Sequence, residues 1–224
     1  MECGCAYDSL KQRAGKPTVT IVQPVYREDV RARRPKILVF AGSTRMASLN
    51  ARLAALAVKE LAAFDVDVTH ISLLDYPLPI YHGDLEGEQG VPSNATRLKR
   101  MLGIHHGVFV ASPEYNASIT PLLKNALDWI SRVHERHEPP LTVYRHRVFA
   151  IGAASDGALG GYRSLMALRQ VLELGCGALV IPEQVAVTEA TRAFDEMDNL
   201  RDERHAARLR SVLGRLVESA RQFV

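Results

Sequence analysis

The sequence predicts an α/β domain built on a parallel sheet with helices packed on both faces. Three observations carry that expectation. Short apolar runs rich in Val, Ile and Phe, of the kind buried on both faces, recur along the chain. Longer amphipathic stretches separate them, and parallel strands need such crossovers, which are right-handed. The length, 224 residues with 47% hydrophobic and 24% charged side chains, suits one such domain with some decoration.

The elements follow in order. Ile37–Ala41 (ILVFA) reads as the first strand. Asn50–Phe64 reads as a helix, with Leu53, Leu56, Ala57, Leu61 and Phe64 on one face. Val66–Ser72 is a second strand, Tyr76–Gly90 a Pro-rich loop, Ser93–Leu102 a short helix and Gly107–Ala111 (GVFVA) a third strand. Thr120 can cap a helix whose first position is Pro121, where the missing N–H costs nothing, and that helix runs to about Val133. Val148–Ile151 is strand four and Tyr162–Leu174 the next helix. Ala178–Val187 is a fifth strand broken around Pro182. A last helix spans about Asp195–Phe223, with Leu209, Val212, Leu213, Leu216, Val217 and Ala220 on its inner face. In such sheets ligands bind beyond the carboxyl ends of the strands, so function belongs to the loops after strands one, three and four.

Charge and composition exclude several classes. Residues 1–36 hold eight of the 28 Lys/Arg side chains and four of the 25 acids, so the basic excess lies in the leading segment and the rest is near neutral. A nucleic-acid reader needs a basic face on its folded body, so nucleic acid is excluded as a partner. No apolar run reaches the ~20 residues of a membrane span, and the first residues carry no signal-peptide core, so a cytoplasmic protein is expected. Residues 1–35 read as a partly ordered arm, with one strand-like stretch at Thr18–Tyr26, ahead of a domain at 36–224. Cys3 and Cys5 offer two thiolates where structural zinc needs four ligands, and His134, His137, His105 and His106 read as exposed loop or helix-end residues. No metal site is expected, and no nucleophile–base set is legible.

The first loop, Gly42–Asn50 (GSTRMASLN), opens directly into a helix. Free N–H groups and the positive end of the helix dipole favour an anion there, and Ser43, Thr44, Ser48, Asn50 and Arg45 add donors matched to phosphate. The spacing is neither that of a dinucleotide fold nor that of a P-loop, and it suits a terminal monoester better than a bridging pyrophosphate. A plain Ser/Thr-capped turn is the alternative. The second loop, Ser112–Ser118 (SPEYNAS), is stiffened by Pro113 and suited to presenting backbone groups to a flat ring. The third, Gly152–Gly161 (GAASDGALGG), is nearly free of bulk and lets another molecule approach the backbone.

Taken with Leu123-Lys124-Asn125-Ala126-Leu127-Asp128-Trp129, the Leu78-Pro79-x-Tyr81 turn and Asp84-Leu85-Glu86, these loops resemble the NADPH-dependent FMN reductase family from about Lys36 to Val187. The family includes quinone, azo-dye and chromate reductases. The resemblance implies a flavodoxin-like three-layer sandwich with a five-stranded parallel sheet in the order 2-1-3-4-5. It also implies bound FMN, NADPH or NADH as co-substrate, and a homodimer or homotetramer with the flavin near a subunit interface. Carried over residue by residue, Ser43, Arg45, Ser48 and Asn50 would hold the FMN phosphate. Pro113, Glu114, Tyr115 and Asn116 would border the ring, and Ser155 with Gly157 would line its other edge. Hydride chemistry then belongs to the flavin rather than to a protein acid or base. The acceptor would be a quinone, azo compound, metal oxyanion or free flavin. A non-catalytic flavodoxin-type carrier or an FMN-binding regulatory module is the alternative. A carrier is disfavoured by the near-neutral body and by Trp129, whose helical spacing makes it a core residue.

Overall fold

The computed structural model describes residues 34–224. The strand-like stretch at Thr18–Tyr26 and the Cys3/Cys5 pair lie outside the described residues. The elements are β1 (Lys36–Ala41), α1 (Leu49–Leu61), β2 (Asp67–Ile71), α2 (Gly83–Gln89), α3 (Ser93–Gly103), β3 (Gly107–Ala111), α4 (Pro121–Arg132), α5 (Thr142–Arg145), β4 (Val148–Ala154), α6 (Tyr162–Gln170), β5 (Leu179–Val187), α7 (Ala190–Ala193) and α8 (Glu203–Ala220). All four strand pairings are parallel, and the sheet order is β2-β1-β3-β4-β5.

Period-two alternation along the central strands sorts the core into two layers. Ile37, Val39 and Ala41 of β1, with Phe109 of β3 and Ala150 of β4, pack against α1 and α8. Leu38 and Phe40, with Val108, Val110 and Phe149, pack against α3, α4 and α6. Leu53, Leu56, Ala57 and Leu61 are buried on α1, as are all six apolar positions assigned to the last helix.

Three elements depart from expectation, each for a physical reason. The Tyr76–Gly90 segment contains α2, none of whose residues is buried and which carries no apolar stripe to announce it. It is held from outside by α4. Asn125 accepts from Tyr81 N (2.8 Å) and donates to Pro79 O (2.8 Å), and Trp129 Nε1 donates to the same carbonyl (2.7 Å). Arg132 pairs with Glu86 (2.9 Å), and the Tyr81 ring meets Trp129 edge-on at 5.0 Å. Asn125, Trp129 and Arg132 are thus one face of α4 reading the Pro79–Glu86 segment. The last helix begins eight residues later than predicted. Asp195 turns its carboxylate onto Met197 N and Asn199 N (2.8 Å each), a local bond that competes with helix, and Asp202 caps α8 instead. Strand five is continuous but irregular. Its register against β4 slips between Phe149 and Ile151, next to Pro182, which an edge strand tolerates. The Arg169 guanidinium covers the carbonyl of Ile181 there (2.9 Å).

His105 is buried rather than exposed, at 3% accessibility. Its Nδ1 lies 2.6 Å from Met101 O and its Nε2 2.8 Å from Thr69 Oγ1, so the neutral ring donates to the first and accepts from the second. Burial pushes its pKa below the ordinary 6.5, against the opposing effect of the Met101 bond. The unfolded chain therefore takes up a proton before the folded one does. This contribution to stability is complete above pH 6.5 and is lost as the pH falls below it. Urea midpoints measured from pH 7.5 down to 5.0 should decline, and His105→Gln, which cannot titrate, should give a flatter profile from a lower starting value.

Candidate functional site

The three loops named by the sequence meet at the carboxyl edge of the sheet. Ser43, Arg45, Ser48, Leu49, Asn50, Pro113, Glu114, Tyr115, Ala154, Ser155 and Asp156 line one cleft of about 250 Å³. Eight of the ten predicted residues are among them. Asn116 and Gly157 each lie one residue beyond the lining, next to Tyr115 and Asp156. Leu49, Ala154 and Asp156 are lining residues that the sequence reading did not select.

The first loop is built around a helix start. Gly42 N donates to Ala111 O (2.9 Å), and Thr120 Oγ1 donates to Gly42 O (2.6 Å) while accepting from Leu123 N (3.2 Å). One buried hydroxyl thus caps α4 and anchors the loop. Ala47 adopts φ 55°, a left-handed conformation uncommon for a residue with a side chain. Ser48 then caps α1, accepting from Ala51 N at 3.4 Å. The N–H groups of Leu49 and Asn50, in the first turn, have no intrahelical acceptor. Ser43 Oγ accepts from Arg45 N (3.3 Å), and the Arg45 side chain is exposed, with no acidic partner among the described residues.

Asn50 has a different task from the one its sequence neighbours suggest. It is 3% exposed, its Nδ2 donates to Ala154 O (2.9 Å) and its Oδ1 accepts from Ala154 N (3.0 Å). The carboxamide joins the start of α1 to the end of β4, and only its backbone N–H remains for a ligand. Glu114 likewise points inward. Oε1 accepts from Arg163 Nε (2.7 Å) and Oε2 from the backbone N–H of Arg163 and Ser164 (3.1 and 3.3 Å). Its carboxylate serves as the side-chain cap that Gly161, at the start of α6, cannot supply. With that carboxylate engaged, the backbone of the turn is left available to the cleft that Pro113, Glu114 and Tyr115 line. Tyr115 and Ser118 exchange both backbone hydrogen bonds (2.9 and 3.0 Å) around Asn116 and Ala117, at φ 50° and 64°, a hairpin turn of the primed type. Such backbone outliers cluster where geometry is held for function.

The third loop is shorter than the sequence suggests, because Gly152, Ala153 and Ala154 belong to β4. Three of the glycines in Gly152–Gly161 serve internal packing: Gly152, Gly160 and Gly161. A Cβ on Gly152 would stand 2.8 Å from Val185 Cγ1, and one on Gly161, at φ 86°, would stand 2.7 Å from Ala153 Cβ. Gly157 alone opens outward, with only Ser155 Oγ near, at 3.7 Å. Asp156 is fixed by Thr191, whose N and Oγ1 both donate to it at 2.7 Å, and these bonds hold its carboxyl below the usual carboxylate range.

The cleft therefore combines hydroxyls, free N–H groups and a guanidinium at one end with a stiff backbone turn at the other. Among the described residues no group of three or more His, Cys, Asp or Glu is placed to hold a metal ion, and no helix is long and apolar enough to cross a membrane.

Residues 35–192 match the family model described as NADPH-dependent FMN reductase. The chain belongs to this family. Among curated relatives, a quinone reductase of Escherichia coli K12 is 32% identical over 61% of this chain and 69% of its own length. An NAD(P)H-dependent FMN reductase of Pseudomonas aeruginosa is 33% identical over 75% and 86%. An NADPH:quinone oxidoreductase of Arabidopsis thaliana is 34% identical over 83% and 93%. Of solved structures, the flavoenzyme NAD(P)H:(acceptor) oxidoreductase FerB from Paracoccus denitrificans superposes with a TM-score of 0.70 at 25% identity, covering 84% of this chain and 98% of that one. The flavodoxin-like sheet order is thus that of an NAD(P)H-dependent reductase family.

Removing the Asn50 carboxamide leaves the buried N–H and C=O of Ala154 without partners. Asn50→Ala should therefore lower stability by about 2–4 kcal/mol, read from urea unfolding. A loss below ~1 kcal/mol would show that water replaces the side chain without strain.

Proposed function

We propose that this chain is an FMN-dependent oxidoreductase that passes a hydride from NAD(P)H to a quinone-type small-molecule acceptor, with residues 36–224 as its FMN-binding domain and residues 1–35 as an arm. The observation that carries the reading is the polarity of the cleft. One end gathers Ser43, Arg45, Ser48 and the unpaired N–H groups of Leu49 and Asn50, with no acidic side chain anywhere in Gly42–Asn50. That donor set fits a phosphate monoester, and the Pro113–Asn116 turn, exposing backbone rather than the Glu114 carboxylate, fits the polar edge of a flat ring. The quinone reductases among the relatives support the acceptor class.

When bound, FMN supplies the ring that takes up a hydride and gives it away. The chain's own residues bind and orient. Ser43, Ser48 and Arg45 hold the head group at the helix start. The primed turn at Tyr115–Ser118 and the Ser155–Gly157 turn would border the two edges of the ring. Glu114, through α6, keeps the first of these turns in place. Gly157 keeps the rim low, so that a nicotinamide and then an acceptor can come close to the same face. One cleft serving both would make turnover ping-pong. Tyr115, Leu159 and Tyr162 are 52%, 53% and 47% exposed, apolar surface that supports a homodimer or homotetramer with a second copy against this edge.

Three measurements test the reading. The purified protein should oxidise NADPH in the presence of a quinone without any added reductase, followed as loss of NADPH absorbance. A carrier or regulatory module would stay inert. Arg45→Ala should weaken FMN binding by about 10- to 100-fold, the worth of a charged hydrogen bond, in a flavin fluorescence titration. Unchanged affinity would move the phosphate elsewhere. Gly157→Val, which the open space at that position lets fold, should reduce turnover while leaving the melting temperature unchanged.

A further inference from the structure

The phosphate end of the cleft has an imbalance of charge that the first loop alone does not resolve. A phosphate monoester carries nearly two negative charges near neutral pH. Arg45 supplies one positive charge, and the start of α1 supplies about half of another. Asp156 lines the same cleft and adds a negative charge.

A segment carrying a second arginine is fastened beside this place from a distant part of the chain. Ser155 N donates to Val187 O (3.0 Å), and Ala190 N donates to Ser155 O (3.3 Å), so the segment after β5 lies directly on the turn that lines the cleft. Thr191 fastens it there through its two 2.7 Å bonds to Asp156. Arg192 is the next residue. Its side chain is exposed and, among the described residues, has no acidic partner within salt-bridge distance. After the Thr191 bonds, and against the opposing effect of burial, the positive charges of Arg192 and then Arg45 also lower the pKa of Asp156, in keeping with guanidinium groups on the cleft side of that carboxylate.

We propose that Arg192 is the second cationic holder of the flavin phosphate, acting with Arg45, and that Asp156 and Thr191 are positioning residues that keep it at the cleft. This rests on the flavin reading above. Asp156, with both oxygens accepting from Thr191, ties α7 to the Ser155–Gly157 turn. Arg45 arrives from the loop after β1 and Arg192 from the segment after β5, so the head group would be gripped by both ends of the fold.

The test uses full-length protein freed of flavin, titrated with FMN and separately with riboflavin, which has the same ring and ribityl chain but no phosphate. Arg192→Gln should raise the FMN dissociation constant about tenfold, leave riboflavin within about twofold, and flatten the salt dependence of FMN binding. Arg192→Lys, which keeps the charge, should recover most of the affinity. Arg100→Gln, at the opposite end of the sheet, should change neither ligand. The proposal is overturned if FMN affinity is unchanged, or if FMN and riboflavin weaken together, which would make Arg192 merely structural. It is overturned too if FMN binding holds while the preference for NADPH over NADH in kcat/KM collapses, since Arg192 would then serve the nicotinamide nucleotide. A wild type that binds riboflavin as tightly as FMN would sink the phosphate-end reading itself, an outcome separate from any effect of the substitution.

Discussion

Two buried hydrogen bonds between the Asn50 carboxamide and the backbone of Ala154 set the geometry on which the cleft depends. A parallel sheet ends with its carboxyl edge open, and each strand there must hand its chain to a crossover without leaving buried peptide groups unpaired. At the end of β4, Asn50 does this from the far side of the sheet's switch point, joining the first helix to the fourth strand. The start of α1 is thereby fixed relative to the Ser155–Gly157 turn. A site assembled from loops is thus held by a side chain that belongs to a helix.

The same logic recurs at each corner of the cleft. Thr120 joins α4 to the carbonyl of Gly42, and Glu114 joins the loop after β3 to the start of α6. Thr191 joins the segment after β5 to Asp156. Each of these polar side chains satisfies backbone or carboxylate groups of another element, so the loops are cross-braced. What faces inward is left unpaired: the Arg45 guanidinium and the first-turn N–H groups of α1. Preorganised donors of this kind bind an anion without first having to break bonds of their own.

The resulting division of labour differs from one read off residue type. Asn50 and Glu114 carry the polar groups that invite assignment to a ligand, yet their side chains face the protein. Gly152, Gly160 and Gly161 invite a reading of open backbone, yet Gly152 and Gly161 leave room for neighbouring side chains and Gly160 for the backbone of Val187 and Thr188. Gly157 is the position where the missing side chain leaves space outside. On the opposite face, Asn125, Trp129 and Arg132 show the reverse case, a helix face whose polar groups organise an otherwise unsupported loop.

The sequence by itself determined the parallel sheet, its helical layers and the three loops that converge, because burial on both faces writes continuous apolar runs and crossovers write a helical period. Eight of the ten residues predicted for the site fall on the cleft lining because they follow strands whose ends are legible. Tertiary structure alone decided α2, the buried state of His105 and the inward turn of Asn50 and Glu114. Each depends on a partner tens of residues away, such as Arg132 for Glu86, Thr69 for His105 and Ala154 for Asn50. Local pattern records whether a residue can be buried or can form a hydrogen bond. Which partner it finds is settled only when the strands have taken their places.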